Sequence, residues 1–274
     1  MYRQDVFNSL PRLADEFQTA QPFKHTVVDH LFDDEFLRRV ADEFYPPDDF
    51  RWYRFNNERE GKLAISNGEH YLPSTIKQFV RELNAEPFLR RLSALTGIQG
   101  LIPDPYLAGG GMHCIPRGGK LEIHADFNKH PLMNVDRRLN ILIYLNKDWQ
   151  ELYGGHLELW DRSMQKCVKR IAPIFNRTVI FLTDDFSFHG HPEALNCPEH
   201  WTRKSIAMYY YTHGRPASEL REAAAHDTTF PERAKEQQQN QAFASAQPPL
   251  LSKTPVSILS LAKELLKRFS GEKR

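Results

Sequence analysis

The fold is decided by residues 121–145, which read LEIHADFNKHPLMNVDRRLNILIYL. Two short runs in this stretch, Leu121 to His124 and Leu139 to Leu145, are rich in Leu and β-branched residues, as strands are. No helical pattern alternates with such runs, so we expect a mainly β fold with flanking helices, built on a barrel or jelly roll. Further predicted strands lie on both sides: Gly111 to Ile115, His156 to Trp160, Thr178 to Leu182 and Arg203 to Thr212.

Residues 1–99 are predicted to be largely helical and to pack on this β core. Amphipathic stretches begin after Asp33, at Ser74 and at Glu86, and the last of them ends at Gly97, a residue that often terminates helices. The β core itself is expected to end near residue 216.

The C-terminal part differs in composition from the core. Residues 217–253 are polar and lack a strong period, which predicts a linker. Residues 254–270 are predicted to form an amphipathic helix, because Thr254-Pro255 is a typical helix start and apolar residues then recur at helical spacing. This helix docks on its own domain or on a second copy, giving a homo-oligomer, or else attaches to a membrane surface. We expect residues 217–274 to be dispensable for chemistry.

Composition excludes several classes of function. The 274 residues carry 36 Lys and Arg against 35 Asp and Glu, so no strong field favours general nucleic-acid binding. No apolar run is long enough to span a membrane, and the first residues do not resemble a signal peptide. The three cysteines lie far apart and argue against a disulfide scaffold. We therefore expect a cytoplasmic protein without a membrane span.

His124 and Asp126 are the first candidate metal ligands. They lie two positions apart at the end of a predicted strand, so strand alternation directs an imidazole and a carboxylate to one face. A third ligand is offered by residues 183–192, TDDFSFHGHP, in which His189 and His191 are both candidates. Two histidines and one carboxylate leave three positions open on a metal, which suits Fe(II) with a bidentate co-substrate and O2.

Arg203 and Ser205 are candidates for binding that co-substrate. Alternation in the strand Arg203 to Thr212 puts both on one face, with Lys204 on the other. A guanidinium can bind a carboxylate through two parallel hydrogen bonds, and a hydroxyl can add another, so the pair suits a dicarboxylate. His113, on a neighbouring strand, is either a packing residue or part of a substrate pocket.

The segments His124-Ala125-Asp126, His189 and Arg203-Lys204-Ser205-Ile206 together resemble the 2-oxoglutarate and Fe(II)-dependent dioxygenases of the prolyl hydroxylase-like branch, in particular the prolyl 3-hydroxylase group. Ser187-Phe188-His189 is similar to the segment that carries the distal ligand there, which favours His189 over His191. Residues 137–145 resemble the strand whose tyrosine binds the co-substrate, here Tyr144. The resemblance covers roughly residues 100 to 213.

The resemblance implies a double-stranded β-helix, a jelly roll of cupin-like type, over residues 100–216. It implies Fe(II) bound by His124, Asp126 and His189, with O2 as oxidant and ascorbate as a supporting reductant. It also implies 2-oxoglutarate bound through its far carboxylate by three residues, with no catalytic residue beyond the metal ligands. Those three residues are Arg203, Tyr144 and Ser205.

Three functions are consistent with these patterns. The first is hydroxylation of an unactivated C–H bond in a prolyl or other residue of a protein. The second is hydroxylation of a small molecule or of a carrier- or sugar-linked intermediate, and the third is a non-enzymatic cupin-like binding module. An open groove beside the metal would favour the first, and a closed pocket the second. The spacing from His189 to Arg203 is longer than the resemblance implies, which keeps His191 as an alternative ligand.

Overall fold

The computed structural model describes residues 1–221 and 225–231 of the chain. It contains five helices in its N-terminal part, with bounds Gln4–Phe7 (α1), Leu10–Thr19 (α2), Asp34–Asp42 (α3), Ser74–Leu83 (α4) and Glu86–Thr96 (α5). The strands are His25–Asp29 (β1), Tyr53–Asn56 (β2), Gly61–Ile65 (β3), Ile102–Pro103 (β4), Gly111–Pro116 (β5), Leu121–His124 (β6), Asp136–Tyr144 (β7), Leu157–Trp160 (β8), Cys167–Ile171 (β9), Arg177–Leu182 (β10), His189–His191 (β11) and Thr202–Thr212 (β12). Short 3-10 turns lie at Glu151–Tyr153 and Ala217–Glu219.

Two antiparallel sheets form the core. The major sheet has the order β1-β10-β7-β12-β5-β3-β2, with β4 paired to β12, and the minor sheet has the order β6-β11-β8-β9. One apolar cluster joins Tyr144, Val179 and Phe181 of the major sheet to Leu157 and Leu159 of the minor sheet. The two sheets therefore pack face to face, and the predicted double-stranded β-helix is confirmed by this architecture and by the structural comparisons described below.

The helices cover the other face of the major sheet. Phe36, Phe79 and Leu83 from α3 and α4 belong to the same buried cluster as Ile141 and Ile206 from β7 and β12. The central strand β7 is thus covered on both faces, which explains its nearly continuous apolar run. This covering makes β7 a rigid base for the side chains that it directs into the space between the sheets.

The N-terminal part is less helical than the sequence pattern predicts. Residues 1–99 also contribute three strands, β1, β2 and β3, to the edges of the major sheet. These strands have four or five residues each; β1 pairs with the distant β10 and β3 with the distant β5, while β2 forms a hairpin with β3. The pattern of residues within a short segment does not show that it pairs with a distant strand, so these three strands were not predicted from the sequence.

The described C-terminal residues lie against the core. A 3-10 turn at Ala217–Glu219 and the segment 225–231 fall within the predicted linker of residues 217–253 and contact the β core. The predicted helix of residues 254–270 lies outside the described residues. Among the helices that the structure describes, none is long and apolar enough to cross a membrane.

Candidate active site

The minor sheet brings the three candidate metal ligands together. His124 ends β6, and His189, which begins β11, is paired directly opposite it. Asp126 follows β6 with Oδ1 at 3.6 Å from Nε2 of His124 and Oδ2 at 3.5 Å from Nε2 of His189. One ligand atom from each residue lies within 4.8 Å of the others, and all three side chains are buried. The group has the donor set and size to hold a divalent cation.

Backbone carbonyls orient both imidazoles. Nδ1 of His124 lies 2.8 Å from the carbonyl oxygen of Glu122, and Nδ1 of His189 lies 2.8 Å from that of Ser187. A carbonyl only accepts, so each Nδ1 carries the proton and each Nε2 presents a lone pair to the centre. Burial, reinforced by the neighbouring His124, lowers the pKa of His189 to about 4. This histidine is therefore a neutral ligand at neutral pH.

Asp126 is kept ionised by its neighbours. Asn140 donates a hydrogen bond from Nδ2 to Oδ2 of Asp126 over 2.7 Å, and Nη2 of Arg137 lies 3.1 Å from the same oxygen. Burial alone would raise the pKa of Asp126, but the neighbouring groups, above all the charge of Arg137, outweigh it and hold the pKa well below its usual range. Asp126 thus offers a carboxylate to the centre.

Arg203 forms the second half of the site. It lies on β12, is 5% exposed, and donates from Nε to the carbonyl oxygen of Gly155 and from Nη2 to the hydroxyl oxygen of Tyr144. No carboxylate of the described residues forms an ion pair with it, and burial lowers the pKa of its guanidinium. A buried cation without a counter-ion is costly, so these residues fit an anionic ligand such as the far carboxylate of 2-oxoglutarate.

Gly155 is required for this placement of Arg203. Its backbone has φ of +69°, and a Cβ atom there would lie 2.9 Å from Cδ of Arg203 and 2.6 Å from Leu195. Glycine lets the carbonyl approach the guanidinium at a conformation that other residues adopt rarely.

Ser205 and Lys204 lie on opposite faces of β12, as alternation predicts. Ser205 is 2% exposed and is paired with Tyr144 on one side and His113 on the other. The ammonium of Lys204 lies 5.7 Å from the ring centre of Phe44, on the helical side of the sheet. The structure therefore brings Arg203, Tyr144 and Ser205 to the interior together.

His191 lies close to the metal group but outside the set of three. It follows His189 by two positions on β11 and is paired with Leu121. Both of its ring nitrogens are buried without a hydrogen-bond partner among the described residues. Burial and the charge of Arg203 hold the pKa of His191 well below its usual range. The geometry thus favours His189 as the third ligand, with His191 next to the predicted co-substrate site.

A cavity of about 410 Å³ opens beside His124 and Asp126. Its rim includes Tyr53, which is 45% exposed, and Leu132, which is 51% exposed, so the cavity opens to solvent. Aromatic and cationic side chains from β2, β3, β5, β7 and β12 line it: Tyr53, Phe55, Lys62, His113, Arg137 and Tyr209. Apart from His113, whose predicted alternatives included a substrate pocket, these residues were outside the prediction. Only the tertiary pairing of β2 and β3 brings the first three to the site.

The C-terminal segment forms another wall of this cavity. Residues 225–228 line the cavity. Thr229 exchanges two backbone hydrogen bonds of 2.9 Å with Ala125, which lies between the candidate ligands His124 and Asp126. The ring of Phe230 packs 5.5 Å from that of His124. We expected residues 217–274 to be dispensable for chemistry without knowing of these contacts. A polar segment that lacks a periodic pattern does not show where it packs on the core.

The fold and the site together define the oxygenase core of a double-stranded β-helix protein. Residues 110–211 match the family model of the 2OG-Fe(II) oxygenase superfamily. This match shows that residues 110–211 are similar to the oxygenase core of that superfamily. The predicted class, a 2-oxoglutarate-dependent dioxygenase, and its cofactors, Fe(II) and 2-oxoglutarate, are confirmed at this level.

Known proteins support the same class. The chain is 26% identical over 220 residues to prolyl 3-hydroxylase OGFOD1 of Mus musculus, which covers 73% of this chain and 37% of that protein. The chain therefore spans little more than a third of this relative. Among solved structures it resembles a prolyl hydroxylase from Trichoplax adhaerens in complex with a hypoxia inducible factor peptide fragment, at 17% identity and a TM-score of 0.53 over 76% of this chain and 91% of that one. It also resembles a prolyl-4-hydroxylase of Pseudomonas putida, at 16% identity and a TM-score of 0.50 over 75% of this chain and 100% of that one. The structural matches show a shared fold.

Proposed function

We propose that the chain hydroxylates an unactivated C–H bond in a prolyl or other residue of a protein, using Fe(II), 2-oxoglutarate and O2. One observation carries this proposal: a buried His-Asp-His group and a buried arginine that has no counter-ion among the described residues lie in the same barrel, beside a cavity that opens to solvent. The similarity to a prolyl 3-hydroxylase supports a prolyl substrate.

In this proposal His124, Asp126 and His189 hold Fe(II), and Arg203, Tyr144 and Ser205 bind the far carboxylate of 2-oxoglutarate. When bound, Fe(II) with 2-oxoglutarate and O2 supplies an oxidant strong enough to attack an unactivated C–H bond. The chain orients both imidazoles through hydrogen bonds to backbone carbonyls. It also excludes water from the interior and positions one C–H bond beside the metal.

The shape and lining of the cavity support a peptide substrate. Its solvent-exposed rim leaves room for the chain on either side of one inserted residue, which a closed pocket would not. Tyr53, Phe55 and Tyr209 offer flat apolar surfaces for a prolyl ring. Nη1 of Arg137 is buried without a partner among the described residues, and Arg137 lines the cavity, so it can donate to a peptide carbonyl.

The test uses two matched peptide libraries, one containing proline in every member and one with the same sequences carrying alanine instead. The full chain, with Fe(II), 2-oxoglutarate and isotopically labelled O2, is expected to produce more succinate with the proline library. Mass spectrometry should then find one labelled oxygen atom on the peptides. Equal succinate formation with both libraries would show that the chain does not prefer prolyl substrates. Stimulation only by small alcohols, sugars or carrier-linked compounds would favour the alternative function.

A further inference from the structure

A buried amide connects the candidate metal-binding carboxylate to the wall of the substrate cavity. Asn140 lies in β7 and is 2% exposed. Its Nδ2 donates to Oδ2 of Asp126 over 2.7 Å, and its Oδ1 accepts from Nε and Nη2 of Arg137 over 3.0 and 2.8 Å. Because Nη2 of Arg137 also lies 3.1 Å from Oδ2 of Asp126, the three side chains form a closed ring.

The two donors act on only one oxygen of Asp126. Oδ2 accepts a hydrogen bond from Nδ2 of Asn140 and forms an ion pair with Nη2 of Arg137. Oδ1 receives neither of them and lies 3.6 Å from Nε2 of His124. Because Oδ2 also lies 3.5 Å from Nε2 of His189, each carboxylate oxygen is close to one imidazole, and the bond from Asn140 fixes how the carboxylate is turned.

The same amide sets the orientation of Arg137. The rings of Phe127 and Tyr209 lie 4.3 and 3.5 Å from the guanidinium carbon and hold its plane. Rings alone leave the guanidinium free to turn within that plane, and the two bonds to Oδ1 of Asn140 remove this freedom. The third nitrogen, Nη1, has no partner among the residues described, in a side chain that lines the cavity.

We propose that Asn140 is a positioning residue of the oxygenase site, which fixes the orientation of the Asp126 carboxylate and holds Arg137 at the wall of the substrate cavity. This inference rests on the proposed function for its use of the metal and of 2-oxoglutarate. Without the amide, the carboxylate of Asp126 could turn, which would change the ligand set that a metal and 2-oxoglutarate would meet. Loss of the amide therefore acts on co-substrate binding as well as on stability.

The experiment uses Asn140→Leu, which keeps a similar volume but removes both the donor and the acceptor, and Asn140→Gln, which retains an amide. Full-length protein is loaded with Co(II), whose visible spectrum reports the number of ligands, and is titrated with 2-oxoglutarate without turnover. Asn140→Leu is expected to change the Co(II) spectrum and to bind Co(II) roughly 10- to 100-fold more weakly, the usual effect of removing a partner of a metal ligand, and to bind 2-oxoglutarate more weakly as a result. Asn140→Gln should recover part of this affinity.

Asn176→Leu is the matched control, because Asn176 is also a fully buried amide but bonds Phe32 and Asp34 on the far side of the major sheet. It should lower thermal stability and leave the spectrum and the 2-oxoglutarate affinity unchanged. Asn140→Ala is measured in parallel, so that a folded variant is available if leucine does not fit. The proposal is overturned by a wild-type spectrum and affinity in the folded Asn140 variants, or by an equal change in Asn176→Leu. If even the wild type binds neither Co(II) nor 2-oxoglutarate, the proposed function fails instead.

Discussion

Nη2 of Arg203 donates a hydrogen bond to the hydroxyl oxygen of Tyr144 over 3.2 Å, in the interior between the two sheets. Burial raises the pKa of Tyr144 despite this cation, so the tyrosine is neutral and does not cancel the charge of the arginine. The pair is a preformed site for an anion, with one positive charge and one hydroxyl group facing the same space.

Arg203→Ala is expected to weaken 2-oxoglutarate binding by roughly 30-fold to several thousand-fold. Truncating one partner of a buried, charge-assisted pair costs about 2–5 kcal/mol, and 1.4 kcal/mol corresponds to a factor of ten. Metal affinity should stay close to that of the wild type, because Arg203 is not a ligand. Anaerobic calorimetric titration measures both affinities. Lys204→Ala is the control, and a large loss there with none at Arg203 would contradict this assignment.

His189→Ala is expected to lose stoichiometric metal binding, whereas His191→Ala should retain it. Only His189 belongs to the group whose ligand atoms lie within 4.8 Å of one another. His191→Ala should instead weaken 2-oxoglutarate binding, since its unpartnered ring nitrogens lie buried near Arg203. Metal content after gel filtration and a 2-oxoglutarate titration compare the two variants. The opposite pattern would make His191 the ligand.

A chain ending at residue 216 is expected to be less stable than the full chain by about 3 kcal/mol or more. It would leave Arg138 without Glu219, at 3.0 Å, and would remove His226, at 3.0 Å, from Asp185, which keeps only Arg215 at 3.6 Å. Buried charges that lose a partner are costly. Thermal unfolding measures the difference. A chain ending at residue 231 keeps these contacts and is the control; equal melting temperatures for the two truncations would show that the contacts contribute nothing.

Stability is expected to fall as the pH drops below 6.5, partly because of His25. This side chain is 2% exposed, and burial lowers its pKa, so the folded state keeps it neutral while the unfolded state takes up a proton near pH 6.5. The folded state therefore loses at most about 1.4 kcal/mol per pH unit for this one group. The free energy of unfolding of His25→Phe should depend less on pH than that of the wild type between pH 7 and 5, and parallel curves would exclude this contribution.

The site residues that could be predicted are those whose positions follow from local periodicity. His124 and Asp126 face one way because they lie two positions apart at the end of a strand, and the same reasoning applies to Arg203 and Ser205 on β12. These predictions need no knowledge of how distant strands pair. They therefore predict correctly on which face of its strand each side chain lies. The co-substrate role of Tyr144, in contrast, comes only from the family resemblance.

The cavity wall could not be predicted in the same way. Tyr53 and Lys62 lie in the hairpin of β2 and β3, which joins the sheet only because β3 pairs with the distant β5. Thr229 pairs with Ala125 across about a hundred positions. Asn140 lies in an apolar run, where a polar residue indicates a buried partner but does not identify it. Only the assembled sheets show that this partner is Asp126.

Succinate formation from 2-oxoglutarate tests the central claim most directly. The purified full chain, with Fe(II), ascorbate and O2, is expected to convert 2-oxoglutarate slowly even without a substrate, because the metal group and the Arg203 site lie in one barrel. His124→Ala, which removes one imidazole from the group but leaves Arg203 and Tyr144 unchanged, should abolish the conversion. Equal succinate formation by the wild type and His124→Ala would contradict the oxygenase account.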